Sequence, residues 1–408
     1  MSKDRGFVQK ALVSQSIKYD EIIPAIPIPN TTEMTPEEKA LQQIKDKKSF
    51  DNLDKTKKNE LFEPFANGKG MMVFDLDGTF LDDDKGIPSN NIDMVIKLKE
   101  KYGIIPVIAT ARPLKVVQFI ESKSGKSFDG YIISLNGSVI YEFKNKKIVQ
   151  NIAFTNKQAQ KIMHLARKNG LESEFMTLSQ EWADIDFYKR REKDPMYYKM
   201  SKTRIKNGKK FWHKFREFSE EELDKRNIDK EEFKKELKFN FLIPNEMRYY
   251  SRKKKLNIIS ISGTEVQLKS FKEKLEKLKL KIQISELCNR EDASGEIKDL
   301  KYIDIMVQGV TKWEAIKHLQ EILGISSEQT ITFGDGGNDQ EMTENAGIGV
   351  AMQNSTNKRL IESADIVTEA PNQFEYDGTI YGGVGILLYK IMKELDRIIE
   401  RKNIEAAR

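Results

Sequence analysis

Asp75 and Asp77 stand two residues apart in Phe74-Asp75-Leu76-Asp77-Gly78-Thr79, directly after the apolar run Met71 to Phe74. On an extended strand, side chains at i and i+2 share a face roughly 7 Å apart, so these carboxylates would crowd negative charge at the strand's end. Such crowding calls for a hard cation with oxygen ligands. Mg²⁺ suits best, and it could also bind a phosphate oxygen. An acidic turn in which Gly78 supplies a positive φ is the plainer reading of the same residues.

Three further segments carry polar groups at comparable places. Ile105 to Ala109 is an apolar run ending in Thr110-Ala111-Arg112, with Pro113 opening a helix. A phosphoryl group could accept hydrogen bonds from Thr110 and from backbone N–H groups at that helix start, although a threonine there is also an ordinary helix cap. In Gly309-Val310-Thr311-Lys312-Trp313-Glu314-Ala315, Lys312 could offer a point charge to a transferring phosphoryl group; taken alone it is one surface lysine among many. Ile331-Thr332-Phe333 runs into Gly334-Asp335-Gly336-Gly337-Asn338-Asp339. The glycines form only a fragment of a dinucleotide fingerprint, and Asp335 would repel a pyrophosphate. Asp335 suits the completion of a cation site begun by Asp75 and Asp77, with Asn338 and Asp339 placed to hydrogen-bond ligands or phosphate.

Positioning these residues falls to a recurrent unit, a short apolar run, a polar loop and then a helical pattern, which is the rhythm of parallel βα units. The runs are Met71 to Phe74, Ile104 to Ala109, Tyr131 to Leu135, Ile331 to Phe333 and Ile366 to Thr368. Helical faces are predicted from Ile92, Val95, Ile96 and Leu98, and from Val116, Val117 and Ile120. Asn136-Gly137, between Ile132-Ile133 and Val139-Ile140, marks a tight hairpin. Ile386, Leu387, Ile391, Met392, Leu395 and Ile398 predict a closing amphipathic helix. In a doubly wound sheet the polar segments would converge outside the carboxyl ends of the strands.

The α/β fold expected is a doubly wound, Rossmann-like, mostly parallel sheet split by an inserted α+β unit. The divisions are a polar, Lys-rich extension (1–67), a first core part (68–153), the insert (154–304) and a second core part (305–408). Within the insert, strands are expected at Phe239 to Ile243, Leu256 to Ser262, Ile282 to Leu287 and Tyr302 to Val307, with a helix at Thr264 to Leu280. The extension reads as an appendage containing the polyproline-like Pro24 to Pro29 and a helix from Pro36 to about Lys47, announced by the capping box Thr35-Pro36-Glu37-Glu38.

The ordered set Asp75-Leu76-Asp77-Gly78-Thr79, Thr110, Lys312 and Gly334-Asp335-Gly336-Gly337-Asn338-Asp339 resembles the four motifs of the haloacid dehalogenase superfamily. The long insert between Thr110 and Lys312 resembles its Cof-type sugar-phosphatase branch. Gly349-Val350-Ala351-Met352-Gln353-Asn354 and Glu375-Tyr376-Asp377-Gly378 are similar to later segments of that branch. The likeness runs from residue 70 to about 390, is weakest in the insert and excludes the first 67 residues.

The resemblance implies a phosphoaspartyl enzyme in which Asp75 attacks phosphorus and Asp77 carries the proton. It implies Mg²⁺ held by Asp75, the Asp77 backbone carbonyl and Asp335, with the Gly336 backbone near a bound water. Phosphate would be held by the Leu76 N–H, Thr110, the Ala111 N–H, Lys312 and Asn338, with Thr79 and Asp339 supporting these groups. Ala111 departs from the glycine that many relatives carry. The insert would be a cap that selects the leaving group. The expected reaction is hydrolysis of small phosphomonoesters such as sugar phosphates, flavin mononucleotide or pyridoxal phosphate. A phosphotransferase or sugar phosphomutase with the same nucleophile is the alternative.

A net charge of +6 over 408 residues does not by itself imply nucleic acid. The stretch Lys189 to Arg216, basic and interleaved with Tyr197, Tyr198, Phe211 and Trp212, leaves three readings open: a solvated loop, a pocket edge for anionic substrates, or a nucleic-acid surface. The trio Asp82-Asp83-Asp84 reads as an exposed loop. His164, His213 and His318 lack metal-ligand spacing, and the single Cys288 fits a reducing cytosol. No run reaches the roughly 18 to 20 apolar residues of a membrane span, so a soluble cytoplasmic protein is expected.

Overall fold

The structure, a computed structural model, describes residues 17–408 except 33, 124–128, 179–180, 185–239, 243–254, 286 and 293–294. In chain order the main elements are helices α1 (Pro36–Lys47) and α2 (Lys55–Phe62), strand β1 (Gly70–Phe74), α3 (Ser89–Tyr102), β2 (Ile104–Ala109), α4 (Leu114–Lys123), β3 (Tyr131–Ser134), β4 (Val139–Glu142) and β5 (Lys147–Asn151). Next come α5 (Asn156–Lys168), β6 (Glu172–Met176), β7 (Glu181–Asp184), β8 (Asn240–Leu242), β9 (Ile258–Gly263), α6 (Glu265–Glu276), β10 (Ile282–Ile284), β11 (Cys288–Asp292) and β12 (Gly295–Val307). The chain closes with α7 (Lys312–Leu323), β13 (Thr330–Gly334), α8 (Gln340–Asn345), β14 (Ile348–Ala351), α9 (Lys358–Ser363), β15 (Ile366–Val367), a hairpin of β16 (Phe374–Tyr376) and β17 (Thr379–Tyr381), and α10 (Gly383–Ala406).

One sheet has the order β15-β14-β13-β1-β2-β3-β4-β5 and is parallel from β15 to β3; β4 and β5 return antiparallel. Its central strand β1 is buried at every position, as expected where helices cover both faces. Alternation along β1 sends Met72 and Phe74 into one apolar cluster, with Ile92 and Leu98 of α3 and Leu387 and Ile391 of α10. Met71 and Val73 enter another, with Trp313, Ile316 and Leu319 of α7. This is the doubly wound α/β core that the βα rhythm predicts, and β1 beside β13 brings the two aspartate segments to one edge.

The hairpin at Asn136-Gly137 joins β3 to β4 in register Ser134↔Val139. Sequence reading placed no element at α2, β5, α5, β6, β7, β11, α7, α8, β14, α9, β16 or β17. It misplaced ends within the insert in both directions: the helix expected to Leu280 ends earlier, at Glu276, and the strand expected from Tyr302 begins earlier, at Gly295. A second, mostly antiparallel sheet, β10-β12-β9-β6-β7-β8 with β11 on β12, forms between β5 and α7. Ala159, Ile162 and Ala166 of α5 and Leu268, Phe271 and Leu275 of α6 pack on it. Capping boxes at Thr155 and Thr264 start the two helices. The basic stretch Lys189 to Arg216 lies outside the described residues.

The N-terminal segment is no loose appendage from residue 17 onward. Phe50, Leu61, Phe62 and Phe65 are buried in the same apolar cluster as β1, and Tyr19 stacks on Tyr389 of α10 at 4.2 Å between ring centroids. Leu41 and Ile44 of α1 pack against Leu360, Ile361 and Val367, and Ser49 bridges Val367 at the sheet's edge. Among the described residues no helix is long and apolar enough to cross a membrane.

Candidate active site

Asp75 leaves the end of β1 with its N–H donating to the Phe333 carbonyl of β13 at 3.0 Å, and only 6% of the residue is exposed. Lys312 arrives from the first position of α7, a helix whose cap is Thr311. Its Nζ donates to Asp75 Oδ1 at 2.5 Å and to Asp339 Oδ1 at 2.7 Å, inside the protein. A buried ammonium needs such partners, so this lysine is not a solvated point charge. The other oxygen of Asp339 accepts from the N–H groups of Asp335 and Gly336 at 3.1 and 3.0 Å. Asp339 therefore ties the lysine to the turn after β13. Asp335 Oδ1 accepts from Thr79 Oγ1 at 2.8 Å.

Oxygens of Asp75, Asp335 and Asp339 all lie within 4.8 Å of one another. The crowding foreseen between Asp75 and Asp77 thus occurs among Asp75, Asp335 and Asp339, because the chain turns out of the strand after Phe74. Burial pushes the Asp75 carboxyl up, with Lys312 opposing and Asp339 and Asp335 reinforcing. Burial, then Asp339, pushes Asp335 up to about 6. Three carboxylates against one ammonium leave an excess of negative charge in a site walled by β1 and β13. This donor set fits a hard divalent cation. Gly78 makes room for the Asp335 carboxylate: at φ +76°, a side chain here would put Cβ 2.4 Å from Asp335 Oδ2.

Asp77 lies outside that cluster. Arg112 clasps it through two hydrogen bonds of 2.6 Å, and Lys85 pairs with it at 2.9 Å. Burial alone would raise the Asp77 carboxyl, but Arg112 and Lys85 outweigh it and hold the group at about 2. Thr110 is buried at the end of β2, its Oγ1 accepting from the Arg112 N–H at 3.2 Å, and Ala111 is half-buried beside it. Leu76 is buried behind Asp75; Asn338 is exposed and reaches Asn136 Oδ1 at 3.4 Å. Gly336 sits in the turn held by Asp339.

A family model for haloacid dehalogenase-like hydrolases matches residues 72–375. The chain belongs to this family. Among curated relatives of this hydrolase, a 5-amino-6-(5-phospho-D-ribitylamino)uracil phosphatase of Bacillus subtilis is 23% identical over 299 residues, 73% of this chain and 89% of the relative. A phosphoglycolate phosphatase of Archaeoglobus fulgidus is 44% identical over 68 residues, 17% of this chain and 30% of that protein. The short, higher-identity matches span about a third or less of those relatives' own lengths. A solved Thermotoga maritima protein shares the fold, with a TM-score of 0.53 and 23% identity over 79% of this chain and 97% of the other.

In this hydrolase several site residues carried no assigned role in the sequence reading. Arg112 and Lys85 are singled out only by their shared partner, since neither has a distinctive spacing from Asp77. Asn136 was read for its turn alone, yet its N–H donates to the Thr110 carbonyl at 3.0 Å. Asn354 Nδ2 donates to the Gly78 carbonyl at 2.8 Å and Ser355 Oγ to the Asp335 carbonyl at 2.7 Å. Asn354 did fall within a segment chosen by resemblance.

Proposed function

We propose that this chain is an Mg²⁺-dependent phosphatase that hydrolyses small phosphomonoesters through an aspartyl phosphate on Asp75. The observation that carries the reading is Asp75 buried at the end of the central strand, clamped by Lys312 and facing Asp335. Mg²⁺ would be held by Asp75, Asp335 and the Asp77 carbonyl, with Gly336 near its water. When bound it would neutralise charge on the phosphoryl oxygens. Lys312, Thr110, Asn338 and the N–H groups of Leu76 and Ala111 would receive the phosphate, while Thr79 and Asp339 hold Asp335 and Lys312 in place.

An Asp75 oxygen attacks phosphorus as the ester oxygen departs, taking a proton from Asp77; water then attacks phosphorus as Asp77 takes a proton back, releasing phosphate and free Asp75. Arg112 and Lys85 keep Asp77 ionised in the free protein. That is the form needed for the second half-reaction, so the first requires the clasp to loosen as substrate enters. Residues 154–304 would act as the cap that chooses the leaving group.

The test is a phosphate-release panel of sugar phosphates, flavin mononucleotide, pyridoxal phosphate and 5-amino-6-(5-phospho-D-ribitylamino)uracil, with Mg²⁺ and with chelator. Release from at least one ester, lost with chelator and in Asp75→Asn, is expected. Wild-type turnover by Asp75→Asn would remove Asp75 as nucleophile, and an isomeric sugar phosphate formed without free phosphate would favour the phosphomutase alternative.

A further inference from the structure

The turn that follows β14 is held from two sides. Facing the carboxylates, Asn354 donates to the Gly78 carbonyl and Ser355 to the Asp335 carbonyl, and the Met352 N–H donates to the Gly334 carbonyl at 3.0 Å. Facing away, the Gln353 N–H donates to Thr368 Oγ1 at 2.9 Å. The Gln353 carbonyl accepts from Lys45 Nζ of α1 at 2.6 Å, and the Gln353 side-chain amide donates to Gln42 Oε1 at 3.2 Å. Gln42 is 7% exposed and donates in turn to Asp46 Oδ1 one helical turn on at 2.7 Å.

We infer that α1, outside the matched family region, is a brace for the catalytic loops. Gln42 and Lys45 are positioning residues: they fix the turn at Gln353, and through Asn354 and Ser355 they fix the backbones of Gly78 and Asp335. Leu41 and Ile44 anchor the helix on α9 and β15, so the lysine reaches the turn from a rigid support. Lys45 is half-buried, with its ammonium on a backbone carbonyl. A charged donor spent on a carbonyl one residue from the loop contacts is stronger than a neutral one would be. Displacements well under the width of an atom at a phosphoryl-transfer centre are costly, which is why a support this far out matters.

The inference rests on the phosphatase reading for its kinetic arm alone. Lys45→Met removes the donor and keeps the packed stem; Gln42→Ala removes the second contact; Lys45→Arg is the conservative control. Both losses are measured as kcat and KM for the best ester of the panel, as Mn²⁺ affinity by electron paramagnetic resonance, and as melting temperature. Lys45→Met is expected to lower kcat about tenfold, the scale of one hydrogen bond from a charged donor, with KM within about twofold. Mn²⁺ affinity should weaken in parallel, Gln42→Ala should move the same quantities less, and Lys45→Arg should restore them. Unchanged kcat and Mn²⁺ affinity in both losses, whatever happens to the melting temperature, overturn the brace. So does a rise in KM at constant kcat. A wild-type chain that hydrolyses none of the esters would sink the phosphatase reading, and Mn²⁺ affinity would still decide the brace.

Discussion

Lys312 is the residue on which the charge balance of the site turns. Replacing it with Met leaves Asp75 and Asp339 buried without their ammonium, and breaking a buried pair of this kind costs about 3–5 kcal/mol. Urea denaturation of Lys312→Met should show that loss, and phosphate release should fall to background. Stability equal to wild type would mean that the carboxylates are satisfied by something else. Arg112 makes the opposite prediction. Its partner Asp77 is 43% exposed, so Arg112→Lys should change stability by less than about 1 kcal/mol. Lysine cannot reproduce the two-pronged clasp, so the second half-reaction, which uses the clasped carboxylate, should slow about tenfold as Asp77 loses its fixed orientation, read as slower hydrolysis of the aspartyl phosphate. The sequence exposed Lys312 through its order relative to the aspartates. It did not expose Arg112, because a salt bridge between two loops has no spacing rule.

The central strands of the parallel sheet were the most legible elements. Met71 to Phe74 is apolar throughout, and Ile331 to Phe333 is interrupted by Thr332 alone, because helices cover both faces of the sheet, and that composition marks a central parallel strand. β14 escaped notice: Ile348–Ala351 is only four residues long and contains Gly349, where a Cβ would lie 2.1 Å from the Thr343 carbonyl. Asn136-Gly137 was legible as a hairpin for local reasons, yet its glycine answers to a distant element. At φ +101°, a Cβ on Gly137 would stand 2.1 Å from the Thr311 carbonyl, at the cap of α7. Gly137→Ala should therefore cost at least about 2 kcal/mol and also lower turnover, because relief of the clash moves the helix start that carries Lys312. A destabilised variant with full activity would show that α7 yields without shifting its lysine. The capping box of α1 adds a pH dependence. The Thr35 N–H holds the Glu38 carboxyl below its ordinary value of 4.5, so its contribution exists above that value and fades as pH falls through the lowered one. Glu38→Ala, which removes the carboxyl that accepts from the Thr35 N–H, should lower the melting temperature near neutrality, by an amount that shrinks on acidification.

At the scale of the whole molecule, the described residues before β1, from residue 17 onward, behave as part of the core. Average composition hid this: the segment is Lys-rich and polar, and its anchors, Tyr19, Ile22, Phe50, Leu61, Phe62 and Phe65, are too widely spaced to form a recognisable run. Tertiary contacts reveal it. Lys390 of α10, only 9% exposed, pairs with Asp51 at 2.6 Å and Glu369 at 3.3 Å, joining the segment to the last helix and the sheet's edge. Arg397 and Arg401 of the same helix reach Asn59 and Glu63. Burying a phenylalanine contributes about 1.5–3 kcal/mol, and a domain's net stability is about 5–15 kcal/mol, so losing Phe50, Phe62 and Phe65 together removes most of the margin. A chain starting at Lys69 still contains every residue assigned to catalysis. If the segment were an appendage, that chain would fold and turn over phosphate at the full rate. The packing predicts instead that it unfolds or aggregates at ordinary temperatures. Phe62→Ala in the full chain should by itself cost about 3–5 kcal/mol in urea denaturation. A soluble, cooperatively melting truncation would show that the core closes over the gap, and that the first 67 residues serve something other than stability.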